Sequence, residues 1–207
     1  FGFFVSLGLG TEYVALVKTD ANGNTQWIKA FGGAGSDWGD YVEQTNDGGY
    51  KVVGYTTGFG AGGYDIYVLK VDAAGNLQWT KTYGGAAADG SSQWGISGKT
   101  TSDNGFMICA NTSSYGAGSN DYLLIKTDST GGLIWANTYG GAADDQPRFA
   151  LETKDHGFSI FGFTTSFGAG DLDAYLIKTD SLGNHQWSKA YGGPAYDKGS
   201  MAREAPD

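Results

Sequence analysis

Runs of six to eight residues in which apolar and polar positions alternate recur along the chain, and each run ends at a turn-forming cluster. The alternation predicts strands over Asp40 to Thr45, Tyr50 to Thr57, Asp65 to Val71 and Leu77 to Tyr83. Alternation with period two puts one set of side chains on a buried face of a sheet. Between the first two strands stand Asp47-Gly48-Gly49, Asp103-Asn104-Gly105 and Asp155-His156-Gly157, which supply the left-handed positions a tight hairpin needs. Asp20-Ala21-Asn22-Gly23 and its copies play the same part between the third and fourth strands. No stretch sustains an apolar period of 3.6 residues, so helix content is predicted to be low.

The same pattern returns four times. Trp27, Trp79, Trp135 and Trp187 are spaced 52, 56 and 52 residues apart. Lys18, Lys70, Lys126 and Lys178 keep that spacing, each followed two residues later by an aspartate, Asp20, Asp72, Asp128 or Asp180. An aromatic and two glycines follow each tryptophan, from Phe31-Gly32-Gly33 to Tyr191-Gly192-Gly193. Several landmarks in one register make the repeat the governing fact of the sequence. Four antiparallel strands per unit, repeated four times, predict an all-β four-bladed β-propeller. The units are about 1–35 plus 196–207, 36–87, 88–143 and 144–195, within a single domain over 1–207. Both chain ends fall in the same hairpin phase. The expectation is therefore a ring closed within one blade, its innermost strand from about Lys198 to Ala205 and its outer strands from Phe1 to Phe31.

The units Asp173 to Asp180, Gln186 to Gly193 and Asp47 to Tyr50 resemble tandem β-propeller repeats of secreted bacterial and archaeal proteins. The run from Asp180 through Gly183 to Trp187 is similar to the tryptophan-docking motif of quinoprotein-type propellers. That resemblance implies that Trp27, Trp79, Trp135 and Trp187 pack across to neighbouring blades. It also implies export to the cell surface or beyond. It implies no single activity, since such propellers serve in adhesion, in binding or as spacers.

Composition narrows the functions. The chain has 207 residues, 36 of them glycine, and a formal net charge of −9. An acidic chain of this kind lacks the basic patch a nucleic acid requires. No run of 18 apolar residues predicts insertion into a membrane. The single Cys109 forms no internal disulfide and reads as a buried small hydrophobe. The sequon Asn111-Thr112-Ser113 falls within a strand and is expected to be shielded.

Candidate chemistry divides into what every unit has and what only one has. Asp20, Asp72, Asp128 and Asp180 read as turn residues that accept backbone N–H bonds. Asp37, Asp89, Asp145 and Asp197 recur in the loops before the innermost strands. They either accept loop amides or ring the mouth of a channel. Trp38 and Trp94 stand outside the repeat, and Tyr196 lies beside Asp197. Aromatic faces next to carboxylates suit a sugar ring, with CH–π contact on its face and hydroxyl bonds at its edge. The same aromatics could instead cap the ring, together with Phe59, Tyr115 and Phe167. Glu152 and Glu204 share a strand parity that points toward the axis, so a channel cation is a further expectation, with no other cofactor.

No catalytic motif is present, and His156 and His185 fall in unrelated hairpin turns. The expected function is a non-enzymatic extracellular or cell-surface binding module. Its partner is a glycan, another surface polymer or a protein. The alternatives are a self-associating subunit of a surface layer or filament and, third, a polysaccharide-active enzyme.

Overall fold

A computed structural model describes residues 12–90 and 96–197. Residues 1–91 and 92–207 form two compact units. Every element among the described residues is a strand. In the first unit, β1 (Val14–Thr19) and β2 (Thr25–Phe31) pair as a hairpin. Beside them runs a four-stranded antiparallel meander of β3 (Asp37–Gln44), β4 (Tyr50–Thr56), β5 (Asp65–Val71) and β6 (Leu77–Tyr83). The second unit holds two such meanders. One is β7 (Ser97–Thr100), β8 (Phe106–Thr112), β9 (Asp121–Thr127) and β10 (Leu133–Tyr139). The other is β11 (Asp145–Glu152), β12 (Phe158–Thr164), β13 (Asp173–Thr179) and β14 (His185–Tyr191).

The sheets thus have two, four, four and four strands where the sequence predicts four in each. The difference falls in the first sheet. Its β1 and β2 hold the places of third and fourth strands, and the expected first and second strands lie outside the described residues. The strand pairing among the described residues shows no closed ring. The first strand of the second sheet also starts earlier than expected, at Asp37 rather than Asp40. Asp37, Trp38 and Gly39 pair with Thr56, Tyr55 and Gly54, and a bulge between Gly39 and Tyr41 shifts the alternation. That shift hid these three residues from a strict period-two reading.

Burial follows strand order. β5, β8 and β9 are buried at every position, whereas β6 and β14 are largely open to solvent. Inner strands covered on both faces read as nearly continuous apolar runs. In the second unit, Met107, Cys109, Tyr122 and Leu124 of one sheet pack on Phe158, Ile160, Tyr175 and Ile177 of the next. In the first, Val14 and Leu16 pack on Tyr50, Val52, Tyr67 and Leu69. A fully buried side chain of this size contributes about 1.5–3 kcal/mol. Cys109 is part of this core, and burial pushes its thiol up to about 12. Asn111 is buried too, its amide donating to Asn120 Oδ1.

Two repeated polar devices fix the hairpins. The Asp20, Asp72, Asp128 and Asp180 carboxylates accept the N–H groups two and four residues on. Their pKa values are lowered, chiefly by bonds from Asn24, Asn76, Thr130 and Asn184 or the backbone amides beside them. At the other hairpin, Lys70, Lys126 and Lys178 reach back 23 residues to Asp47, Asp103 and Asp155, at 2.9, 2.8 and 2.9 Å. Gly48, Asn104 and His156 take the left-handed position in these turns, with φ of 79°, 63° and 60°. A side chain is tolerated there at a modest strain.

Tryptophans join neighbouring sheets within each unit. Trp27 meets Tyr50 edge to face at 5.9 Å, and Trp135 meets Phe158 at 5.5 Å. Each ring also covers the glycine of the next sheet's last turn, Gly75 or Gly183. The carbonyl of Gly183 is held in addition by Tyr139 Oη at 2.6 Å and Asn137 Nδ2 at 3.1 Å. Trp135→Ala is expected to lower stability by about 3 kcal/mol in urea unfolding. Ile134→Ala, at its solvent-exposed neighbour, should stay within about 0.5 kcal/mol.

Candidate functional site

The loops that follow the last strand of each sheet share one hydrogen-bond frame. The N–H groups of Gly33, Gly85, Gly141 and Gly193 donate to Asp37, Asp89, Asp145 and Asp197 Oδ2 at 2.8, 2.7, 2.7 and 2.6 Å. The N–H of each of these aspartates donates in turn to a carbonyl just before a third strand, of Glu12, Tyr64, Asn120 or Leu172. Asp37, Asp89 and Asp145 are buried and Asp197 is half-buried. Thr164 Oγ1 and Ser166 Oγ add two more bonds to Asp145. A ligand would have to displace backbone amides to reach these carboxylates. The geometry therefore assigns them to the loop frame and not to a solvent-facing ring.

A second aspartate series opens the third strands. Asp65, Asp121 and Asp173 are each about 1% exposed. Their Oδ2 atoms accept the amides of Ala61 and Gly62, Ala117 and Gly118, and Ala169 and Gly170. Of these, the sequence marked Asp65 only as a strand start and Asp173 only as part of a repeated motif, and left Asp121 unremarked. Their spacing of 56 and 52, shared with the tryptophans, was the signal that they too belong to the frame.

The asymmetric feature of the first unit is aromatic. Trp38 and Tyr55 face each other across the β3–β4 pair and stack at 4.8 Å with 27° between planes. Tyr64, in the loop before β5, closes on Tyr55 at 5.6 Å and on Trp38 at 6.0 Å. Trp38 and Tyr55 are half-buried, and Tyr64 is at the edge of exposed. Asp40 and Glu12 lie close enough to act on Tyr55, whose pKa is raised by burial first and by these carboxylates after it. Trp38 was read from the sequence, whereas Tyr55 and Tyr64 were not. The signal was their departure from the repeat, because Asn111 and Phe163 stand in the place of Tyr55, and Asn120 and Leu172 in that of Tyr64. The last sheet has Gln146 in the place of Trp38, bonded to Asp144 at 3.0 Å.

The other candidates separate. Trp94 and Glu204 lie outside the described residues. Tyr196 is exposed at the end of its loop. Phe59 stacks on Tyr67 at 5.7 Å and Phe167 on Tyr175 at 5.2 Å, so each is anchored to a core tyrosine. Glu152 faces the hairpin turns. It accepts Ser102 N–H at 2.7 Å and Ser102 Oγ at 2.6 Å, and lies 3.2 Å from His156 Nδ1. These partners, with Lys126 and Phe158, line a shallow pocket of about 410 Å³. Ser102 Oγ already donates to the carboxylate and meets the same ring nitrogen that the carboxylate does. That geometry ties two hairpins together. No group of three or more His, Cys, Asp or Glu placed to hold a metal occurs among the described residues. No helix among them is long and apolar enough to cross a membrane.

No protein-family model matches the chain, and no curated protein matches it.

The frame leaves no room for a side chain at Gly84, Gly140 and Gly192. A Cβ on Gly140 would collide with Asp121 Oδ1 and stand 2.8 Å from Asp145 Oδ2. Neither carboxylate can retreat without giving up its loop amides. Gly140→Ala is expected to cost at least about 2 kcal/mol in denaturant unfolding.

Proposed function

We propose that the protein is a four-bladed β-propeller of extracellular or cell-surface location that binds a glycan without catalysis. The repeat spacing supports four blades, and the three complete four-stranded meanders supply the blade pattern. The observation that carries the function is the Trp38–Tyr55–Tyr64 cluster, partly open to solvent, with Asp40 and Glu12 beside it. A pyranose ring would lie against the aromatic surface through its C–H face. Its equatorial hydroxyls would donate to the carboxylates, giving charge-assisted bonds. An acidic rim favours neutral or cationic sugars over uronic or sulfated ones, because like charges repel.

A glycan array followed by calorimetry on the best hit tests this. Trp38→Ala should weaken binding at least about tenfold, equivalent to about 1.4 kcal/mol, while Phe167→Ala leaves it unchanged. Equal affinity for the wild type and Trp38→Ala would remove the site from the account. A second reading, a self-associating surface subunit, is favoured by the exposed apolar side chains Ile28, Leu77, Leu133 and Ile134 on the outer strands. Concentration-dependent polymers in sedimentation, with no glycan bound, would select it.

A further inference from the structure

Two sheets carry the same bulge with opposite charges. Across β3–β4, a bulge between Gly39 and Tyr41 leaves Asp40 as the extra residue, and Trp38 pairs with Tyr55. Across β11–β12, a bulge between Pro147 and Phe149 leaves Arg148 as the extra residue, and Gln146 pairs with Phe163. The two bulges hold one position of the repeat. The spacing from Asp40 to Arg148, and from Tyr55 to Phe163, equals that from Trp27 to Trp135. A bulge takes its extra residue out of the ladder's alternation and re-aims the side chain. In β11 that residue is a cation, and the Arg148 guanidinium lies over the Phe163 ring, 5.4 Å from its centroid. Such a contact is a cation–π attraction.

In β3 the cation is missing and a carboxylate stands in its place. Asp40 is exposed. After burial it is the strongest influence on Tyr55, with Tyr64 and Glu12 behind it, and no cationic side chain among the described residues acts on that phenol. The reversal extends over this whole end of the first unit. Its segments 12–13, 32–41, 53–66 and 82–90 hold Glu12, Asp37, Asp40, Asp65 and Asp89, and no lysine, arginine or histidine. Loop amides donate to Asp37, Asp65 and Asp89 but bring no positive charge. Tyr64, at 36% exposed, and the half-buried Trp38 and Tyr55 present their rings within this negative field. Aromatic faces attract cations, tryptophan most strongly, and do so more where water is partly excluded. A neutral sugar would use the rings and not the field. A hydrated metal ion would use the carboxylates and not the rings.

We propose, on the glycan reading of this surface, that the ligand of Trp38, Tyr55 and Tyr64 carries a protonated primary amine, so that the glycan is a polymer of unacetylated amino sugars. The ammonium lies against the rings as the Arg148 guanidinium lies against Phe163, and its N–H groups donate to Asp40. An ammonium has three donors and no acceptor, which suits a place whose charges are all carboxylates. Acetylation removes the charge and adds a carbonyl that those carboxylates repel. In the last sheet Arg148 already fills the place over the ring, so the site is not repeated there.

Calorimetry with hexamers of glucosamine, N-acetylglucosamine and glucose, in mild acid that keeps the amine protonated, tests this. The glucosamine hexamer should bind at least about tenfold more tightly than the other two, and should weaken as salt rises from about 0.05 M to about 0.5 M. Asp40→Asn should weaken it roughly three- to tenfold. Asp72→Asn, which removes the same charge in the turn after β5, at the opposite end of that strand, should leave it within about twofold. Trp38→Ala keeps the net charge and should still lose the glucosamine hexamer, which a general attraction between a cationic polymer and an acidic protein would not. The proposal is overturned if binding of that hexamer survives Asp40→Asn or Trp38→Ala, or falls equally in Asp72→Asn. An acetylated or neutral hexamer that binds as tightly, and is lost in Trp38→Ala, overturns it too and leaves the glycan reading standing. If none of the three hexamers binds, both fall.

Discussion

The aspartate in the loop that follows a Tyr-Gly-Gly or Phe-Gly-Gly turn, which opens the next strand at Asp37 and Asp145, makes the interaction on which the rest depends. Its carboxylate accepts the second glycine of the preceding Tyr-Gly-Gly or Phe-Gly-Gly turn, and its own N–H donates to a carbonyl before a third strand. One residue thereby fixes where one sheet ends and the next begins. A carboxylate accepting backbone amides in a buried place is held in a single orientation, because any other leaves both sides unpaired. The neighbouring glycines follow from this. A side chain there would fill the space the carboxylates need.

The tryptophans extend that frame into the hydrophobic core. Trp27 and Trp135 leave the outer strand of one sheet and cover an inner aromatic and a turn glycine of the next. An outer strand that is otherwise open to solvent is tied down by one large ring. The loops facing away from the core are then held rigidly enough to carry a cluster such as Trp38, Tyr55 and Tyr64 without helping to build the frame. Repetition supplies the scaffold, and departures from it supply the candidate chemistry.

Much of the fold was legible because period-two alternation and the 52-residue register reinforce each other. Asp65–Val71 and Leu77–Tyr83 have the boundaries the pattern predicts. The early start at Asp37 was not legible, because a bulge breaks the alternation there. The candidate site was legible in part. Trp38 stood out, with Trp94, as a tryptophan outside the four that recur, but its partners Tyr55 and Tyr64 are ordinary strand and loop residues until the pairing brings them together. Whether a recurring aspartate faces solvent or a backbone amide depends on packing between elements tens of residues apart. Sequence spacing reveals that Asp89 recurs and does not reveal that it is buried.

Native-state hydrogen exchange tests the frame most directly. The amides of Gly33, Gly85 and Gly141 lie in loops, outside any sheet ladder, and donate to buried carboxylates. The account predicts that they exchange as slowly as the inner-strand amides around Val53 and Ile108, within about tenfold. Exchange at the rate of an unstructured loop, while the strands stay protected, would contradict it.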